Sequence, residues 1–375
     1  MSQEALQDRL DQLDSFLRED EGNDGLRAEL IRVALEAGDL DRAQLVLDER
    51  PEGPSNPQLS NLAGLLALRQ DDARDAERHF SEALSHAHDD VGLRYNLAWA
   101  KALLGDASAA LETLDEASCN ALPQAAALQV QMMHTLGQFD DAMAVGQSAL
   151  QRHGPDRELV SILSTLAVDL HETDMARTLA EQGGDHPDAL VTMGFMELSD
   201  GLNVKAIDHF DRALANNPNA ARAFLGRGSA HLLAGSHEAA IADLERAAEG
   251  LKTHLGSWLG AGWAALIAGD RDRARAHFEK AEALDATFAE IHGSLAVLSV
   301  FESDLETAEV KAKTARRLDA NSPTAALAAS MIAAGKGKPE AAEKILDRAL
   351  NAPIDPNGQT LAQNMARIWS TNTIN

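Results

Sequence analysis

The sequence predicts an all-α fold, a right-handed superhelical solenoid of about ten antiparallel helix-turn-helix repeats. Three observations carry that expectation. A pattern Ala-x-x-x-(Phe/Leu)-x-x-Ala recurs at Ala206/Phe210/Ala213, Ala240/Leu244/Ala247 and Ala274/Phe278/Ala281. It continues at Ala308/Ala312/Ala315 and Ala342/Leu346/Ala349, and each step is 34 residues. Twelve places before each leading alanine stands another small residue: Gly194, Gly228, Gly262, Ala296 and Ser330. Between the two small positions a turn signal keeps its own register at Gly201, Gly235, Gly269 and Gly337, with Ser303 standing in once.

Each observation has a physical reading. Small side chains on one helix face let a neighbouring helix approach closely, so paired small positions predict tight helix pairs. Glycine takes the left-handed conformation that closes a helix, and Asn203, Ser236, Asp270 and Asp304 are placed to cap the next one. The first half repeats less evenly, with alanines at Ala43, Ala76, Ala110, Ala142 and Ala176 spaced by 33, 34, 32 and 34, and turn glycines at Gly38, Gly105 and Gly137. From Ala176 to Ala206 the step is only 30, across Gly183-Gly184-Asp185-His186-Pro187. That gap lacks about one helical turn and predicts a local irregularity.

A repeat stack needs covered ends. Leu6, Leu10, Leu13 and Leu17 fall on one stripe of an acidic helix ahead of the Gly22-Asn23-Asp24-Gly25 break. Leu361, Met365, Ile368 and Trp369 follow Pro323 at one repeat step, as an incomplete eleventh unit would. The expected organisation is a capping helix at 1–22, less regular repeats at 23–186, regular repeats at 187–356, and a capping helix and tail at 357–375.

These units resemble tetratricopeptide repeats from about Asp24 to Ile354. One unit carries the family positions as Leu190, Gly194, Ala206, Phe210, Ala213 and Pro218; another as Trp258, Gly262, Ala274, Phe278 and Ala281. The resemblance implies a concave groove lined by the first helix of each unit. Ninth positions are Leu65, Trp99, Phe195, Trp263, Val297 and Met331; fifth positions are Tyr95, Val191, Leu225, Leu259 and Leu327; Phe301 is a thirteenth. The candidate binding set is Tyr95, Trp99, Phe195, Leu225, Leu259, Trp263, Val297, Phe301 and Met331. Residues at such spacing also pack against the adjacent repeat, so each has a core role as its competing assignment. The lysine and asparagine pair with which some family members grip a C-terminal carboxylate is missing, and only Asn61 and Asn96 suggest an asparagine ladder.

Charge and chemistry narrow the function. With 59 acids against 33 bases the net charge is -26, which repels a phosphate backbone and argues against nucleic acid. Eight of the nine lysines lie at or after Lys205, so the first half is the more acidic. The single Cys119 excludes an internal disulfide, and no apolar stretch approaches a membrane span or a secretory signal. No HExxH, Walker loop or Gly-rich strand-to-helix turn occurs, and the turn Gly335-Lys336-Gly337-Lys338-Pro339 is expected to be a solvated basic turn. The sequence therefore predicts a cytoplasmic, non-enzymatic module with no cofactor or metal. Its expected partner is another protein or peptide, apolar, basic or amphipathic. The alternatives are a self-associating scaffold, such as a homodimer, and a regulatory subunit of an enzyme.

Overall fold

The computed structural model describes residues 3–49, 56–352 and Thr360. Among the described residues there are 22 α-helices. The chain divides into two compact units, Met1–Glu172 and Thr173–Asn375.

The first unit opens with α1 (Gln3–Glu19), α2 (Asp24–Ala37), α3 (Leu40–Asp48), α4 (Pro57–Arg69) and α5 (Ala73–His86). It continues with α6 (Val91–Leu103), α7 (Ala107–Thr113), α8 (Glu116–Ala121), α9 (Pro123–Thr135), α10 (Phe139–His153) and α11 (Arg157–Asp169). The second holds α12 (Thr173–Gly183), α13 (Pro187–Ser199), α14 (Asn203–Asn216), α15 (Ala221–Leu233), α16 (His237–Leu251) and α17 (Leu255–Ala268). It ends with α18 (Arg271–Leu284), α19 (Ala289–Phe301), α20 (Leu305–Leu318), α21 (Pro323–Gly335) and α22 (Pro339–Leu350). Within each unit a first helix packs on its own second helix, and that second helix on the next first helix, as in α4, α5, α6 and in α13, α14, α15.

The hairpins close on one contact. Phe80, Phe210 and Phe278 are fully buried. A Cβ added at Gly64, Gly194 or Gly262 would lie 2.5, 2.6 or 2.4 Å from the ring of Phe80, Phe210 or Phe278 respectively. Phe210 is held from the far side as well, since a Cβ on Gly226 of α15 would come within 2.1 Å of it. The same ring thus joins its own hairpin to the next. In α19/α20 the pair is Ala296 and Ala312, where a smaller partner allows a methyl group in place of the glycine.

The turns follow the register read from the sequence. Gly201, Gly235, Gly269 and Gly337 have φ of 77°, 78°, 90° and 71°, and Ser303 adopts φ 67° in their place. Two further substitutes escaped the sequence reading, Asp71 and His171, both at φ 60°. Asp270 and Asp304 cap as expected, accepting from the backbone N–H of Arg273 and Thr307. Ser236 stands at a cap position without a side-chain bond, and Asn203 is not a cap, being the first residue inside α14 and buried.

The 30-residue step has a simple origin. α12 has 11 residues against 14 in α14, and the connection after it (184–186) has three residues against four after α14 (217–220). Those three and one residues make up the difference of four from 34. In the first unit, the second helix after α6 is broken in two. Asp115 accepts from the Ser118 backbone N–H at 2.8 Å and starts α8 inside what would otherwise be one helix.

At the N-terminus Leu6, Leu10 and Leu13 of α1 are buried against Leu30, Ile31 and Ala34 of α2, so α1 covers the first hairpin. The expected cap at Leu361, Met365, Ile368 and Trp369 lies outside the described residues.

Two substitutions test these contacts. Gly262→Ala costs about 1–3 kcal/mol because the Phe278 ring cannot retreat in a packed core, and combining it with Phe278→Ala costs less than the two single losses together; urea denaturation measures both. Replacing His171 with glycine relieves a left-handed residue and raises stability by about 1 kcal/mol in the same assay.

Candidate functional site

In the second unit the first helices lie side by side: α13 touches α15, α15 touches α17, α17 touches α19, and α19 touches α21. Fifth, ninth and thirteenth residues of a helix share one face, so their rows run across neighbouring hairpins.

Leu225, Leu259, Trp263 and Met331 are half-buried on this face. Phe195 is half-buried too, with its ring edge-on to Phe210 at 5.3 Å. Trp263 meets Phe278 at 6.1 Å in the same way, and its Nε1–H donates to Ser294 Oγ of α19 at 3.0 Å. Each of these two aromatics therefore braces the phenylalanine that closes its hairpin and leaves part of its ring open. Val297 is not on the face. It is 1% exposed, because α21 packs so closely on α19 that a Cβ added at Gly293 would lie 1.9 Å from the Thr324 side chain, and α19 is buried on nearly every side.

The thirteenth row is the most open. Phe301 is 46% exposed, and two residues that sequence reasoning passed over stand in register with it, Leu233 at 45% and Ile267 at 57%. The signal was available in the 34-residue step that links Leu233, Ile267 and Phe301. Three consecutive hairpins thus present a large apolar side chain to solvent at the same position.

The first unit presents a more polar face. Tyr95 and Trp99 are half-buried on α6, and Leu103 is exposed at the thirteenth position of the same helix. Asn96 Nδ2 donates to Asn61 Oδ1 at 3.0 Å, tying α6 to α4. Burial, with a smaller contribution from the Glu158 carboxylate, pushes the Tyr95 phenol above its ordinary pKa. Both aromatics stay in the candidate set, separately from those of the second unit.

Among the described residues no group of three or more His, Cys, Asp or Glu could hold a metal ion, and no helix is long and apolar enough to cross a membrane. The Cys119 thiol is buried and pushed up to about 11, chiefly by that burial, which leaves little thiolate at neutral pH. The Gly335–Pro339 turn is basic and exposed, with Lys336 paired to Glu309.

A buried histidine marks the hairpin behind Trp263. His277 of α18 stacks on Trp258 at 5.6 Å, and its Nε2 lies 3.1 Å from Glu245 Oε1, a carboxylate already bonded by Arg273 at 3.1 Å. Burial pushes the His277 pKa down, and Lys280 and Arg273 act in the same direction, against the opposing pull of Glu245 and Asp270.

Residues 201–253 match the family model described as tetratricopeptide repeat. No curated protein matches the chain. Among solved structures, the APC/C hetero-tetramer Cut9–Hcn1 is similar at a TM-score of 0.52 and 15% identity, over 99% of this chain and 88% of that one. The human IFIT1 dimer with m7Gppp-AAAA is similar at 0.52 and 14% identity, over 95% and 96%. At such identities the likeness is one of fold.

A histidine whose folded pKa lies below its unfolded value of about 6.5 leaves the unfolded chain binding more protons as the pH falls. Stability is therefore complete above that range and declines as pH drops below it. His79 and His254 shift in the same direction through burial. The melting temperature should fall between pH 7 and pH 5, and His277→Phe, which removes one of the three groups, should flatten that slope.

Proposed function

We propose that this chain, a protein built of tetratricopeptide repeats, is a non-enzymatic interaction module that holds an apolar or amphipathic peptide segment on the first-helix face of its Thr173–Asn375 unit. The observation that carries the reading is the row of Leu233, Ile267 and Phe301, exposed at the same position of three successive hairpins beside half-buried Leu259, Trp263 and Met331. Scattered exposed apolar residues are ordinary, but a row in register is a surface that burial would stabilise. An extended helix face docking along it would fit helix-in-groove recognition.

Charge selects among partners. The surplus of acids favours a segment with basic residues on its outward side and speeds its encounter at low salt. The capped oligonucleotide in the human IFIT1 structure does not carry over, since a chain at -26 repels phosphates.

The test compares proteins captured from the native cell by the wild type and by a folded Trp263→Glu, Ile267→Glu double variant. A partner lost from the variant, with affinity reduced by roughly 30-fold or more for hot-spot positions, supports this face. A partner retained by it and lost by Trp99→Glu moves the site to the first unit. If neither variant changes the captured set, the reading is wrong. A dimer seen by light scattering and abolished by the double variant would make a second copy the occupant.

A further inference from the structure

The seam between the first and second helix is filled in the same way in two successive hairpins. In α15/α16 the fourth residue of the first helix is Phe224, and the Arg246 guanidinium lies over its ring, 5.0 Å from the centroid. In α17/α18 the equivalent places hold Trp258 and Lys280, with Nζ 4.2 Å from the ring centroid. The Trp258 ring also stacks on His277, so a cation and a second flat group both contact it.

The last hairpin, α21/α22, keeps the cation and lacks the ring. Arg348 stands at the place of Lys280, Ile345 at that of His277, and Ala326 at that of Trp258, each 68 residues on. A trough of about 390 Å³ opens there, lined by Ala326, Ala329, Ile345 and Ala349 and bordered by Arg348 and Arg316. Neither arginine has an ion-pair or hydrogen-bond partner among the described residues.

We propose that this trough is a receptor slot for an aromatic side chain carried on an acidic segment of a partner protein. The ring would seat between Ile345 and Arg348 as Trp258 seats between His277 and Lys280, gaining burial and a cation–π contact. A carboxylate beside the aromatic residue would pair with Arg316. The local charge supports an acidic partner: residues 305–352 carry eight Lys/Arg against six Asp/Glu, a net +2 within a chain of -26. The chain's own Trp369 is the competing occupant, but residues 353–375 carry one acid and one base, Asp355 and Arg367, and so bring no net negative charge to the positive rim. The surface is distinct from the first-helix face and does not depend on it.

The experiment titrates the full chain with 5-fluoroindole-3-acetate, an indole bearing a carboxylate, followed by ¹⁹F NMR. Saturable binding to the wild type is expected. Ala326→Trp and Arg348→Glu should abolish it, and Arg316→Ala should weaken it by about 2–5-fold. Ala326→Trp should also raise the melting temperature, because it fills the trough from within. Absence of saturable binding to both the wild type and Trp369→Ala, or binding unaffected by Arg348→Glu, overturns the proposal. So does a lowered melting temperature in Ala326→Trp, which would show that the trough does not fit an indole. A several-fold gain in affinity in Trp369→Ala would assign the slot to the chain's own end.

Discussion

The contact on which the architecture depends is a large side chain pressed against a residue with no Cβ. Phe210 lies between Gly194 of its own hairpin and Gly226 of the next, so one ring fixes both the closure of a hairpin and its distance to its neighbour. Phe278 opposite Gly262 and Phe80 opposite Gly64 repeat the closure. The dense core leaves little room to adjust, so the size of one member dictates the size of the other. In α19/α20 the equivalent places hold Ala296 and Ala312, both buried. Where the ring reaches the next hairpin, as Phe210 does at Gly226, the contact also sets how closely the two first helices, α13 and α15, stand.

Much of this was legible in the sequence because the features that build a hairpin are local and recur. The 34-residue step, the small positions and the turn glycines each marked a backbone event, and Ser303 was recognisable as a substitute turn residue by register alone. Asp71 and His171 were not, because the uneven spacing of the first half blurs the register that would expose them. The caps were harder still. Asp270 and Asp304 cap their helices, whereas Asn203 begins one residue too late to do so and is buried instead. Composition near a turn cannot resolve a shift of one residue.

The interaction face was legible only in part, for a different reason. Position within a first helix identified Leu225, Leu259, Trp263, Phe301 and Met331 as facing outward from the hairpin, and they are half-buried or exposed. The same position gave Val297, which is enclosed because the next first helix, α21, sits unusually close on α19, with Thr324 and Ala325 pressed against Gly293. Exposure depends on what the neighbouring elements cover, and that is a property of several repeats together. Leu233 and Ile267 stand at the thirteenth position, which the sequence marked only at the aromatic Phe301, whereas the fifth and ninth rows were legible along several repeats.

The positive end of the second unit has a kinetic consequence. Residues 173–304 carry 20 Asp/Glu against 11 Lys/Arg, a net -9, while residues 305–352 are at +2. A charge distribution of this kind exerts a torque on an approaching molecule before any surface touches, over a reach set by the Debye length of about 8 Å at physiological salt. Approaching positive charge is thereby favoured over the earlier hairpins and negative charge over the last, a sorting that acts during diffusion. Raising the ionic strength erases that sorting while leaving the shape of each surface unchanged.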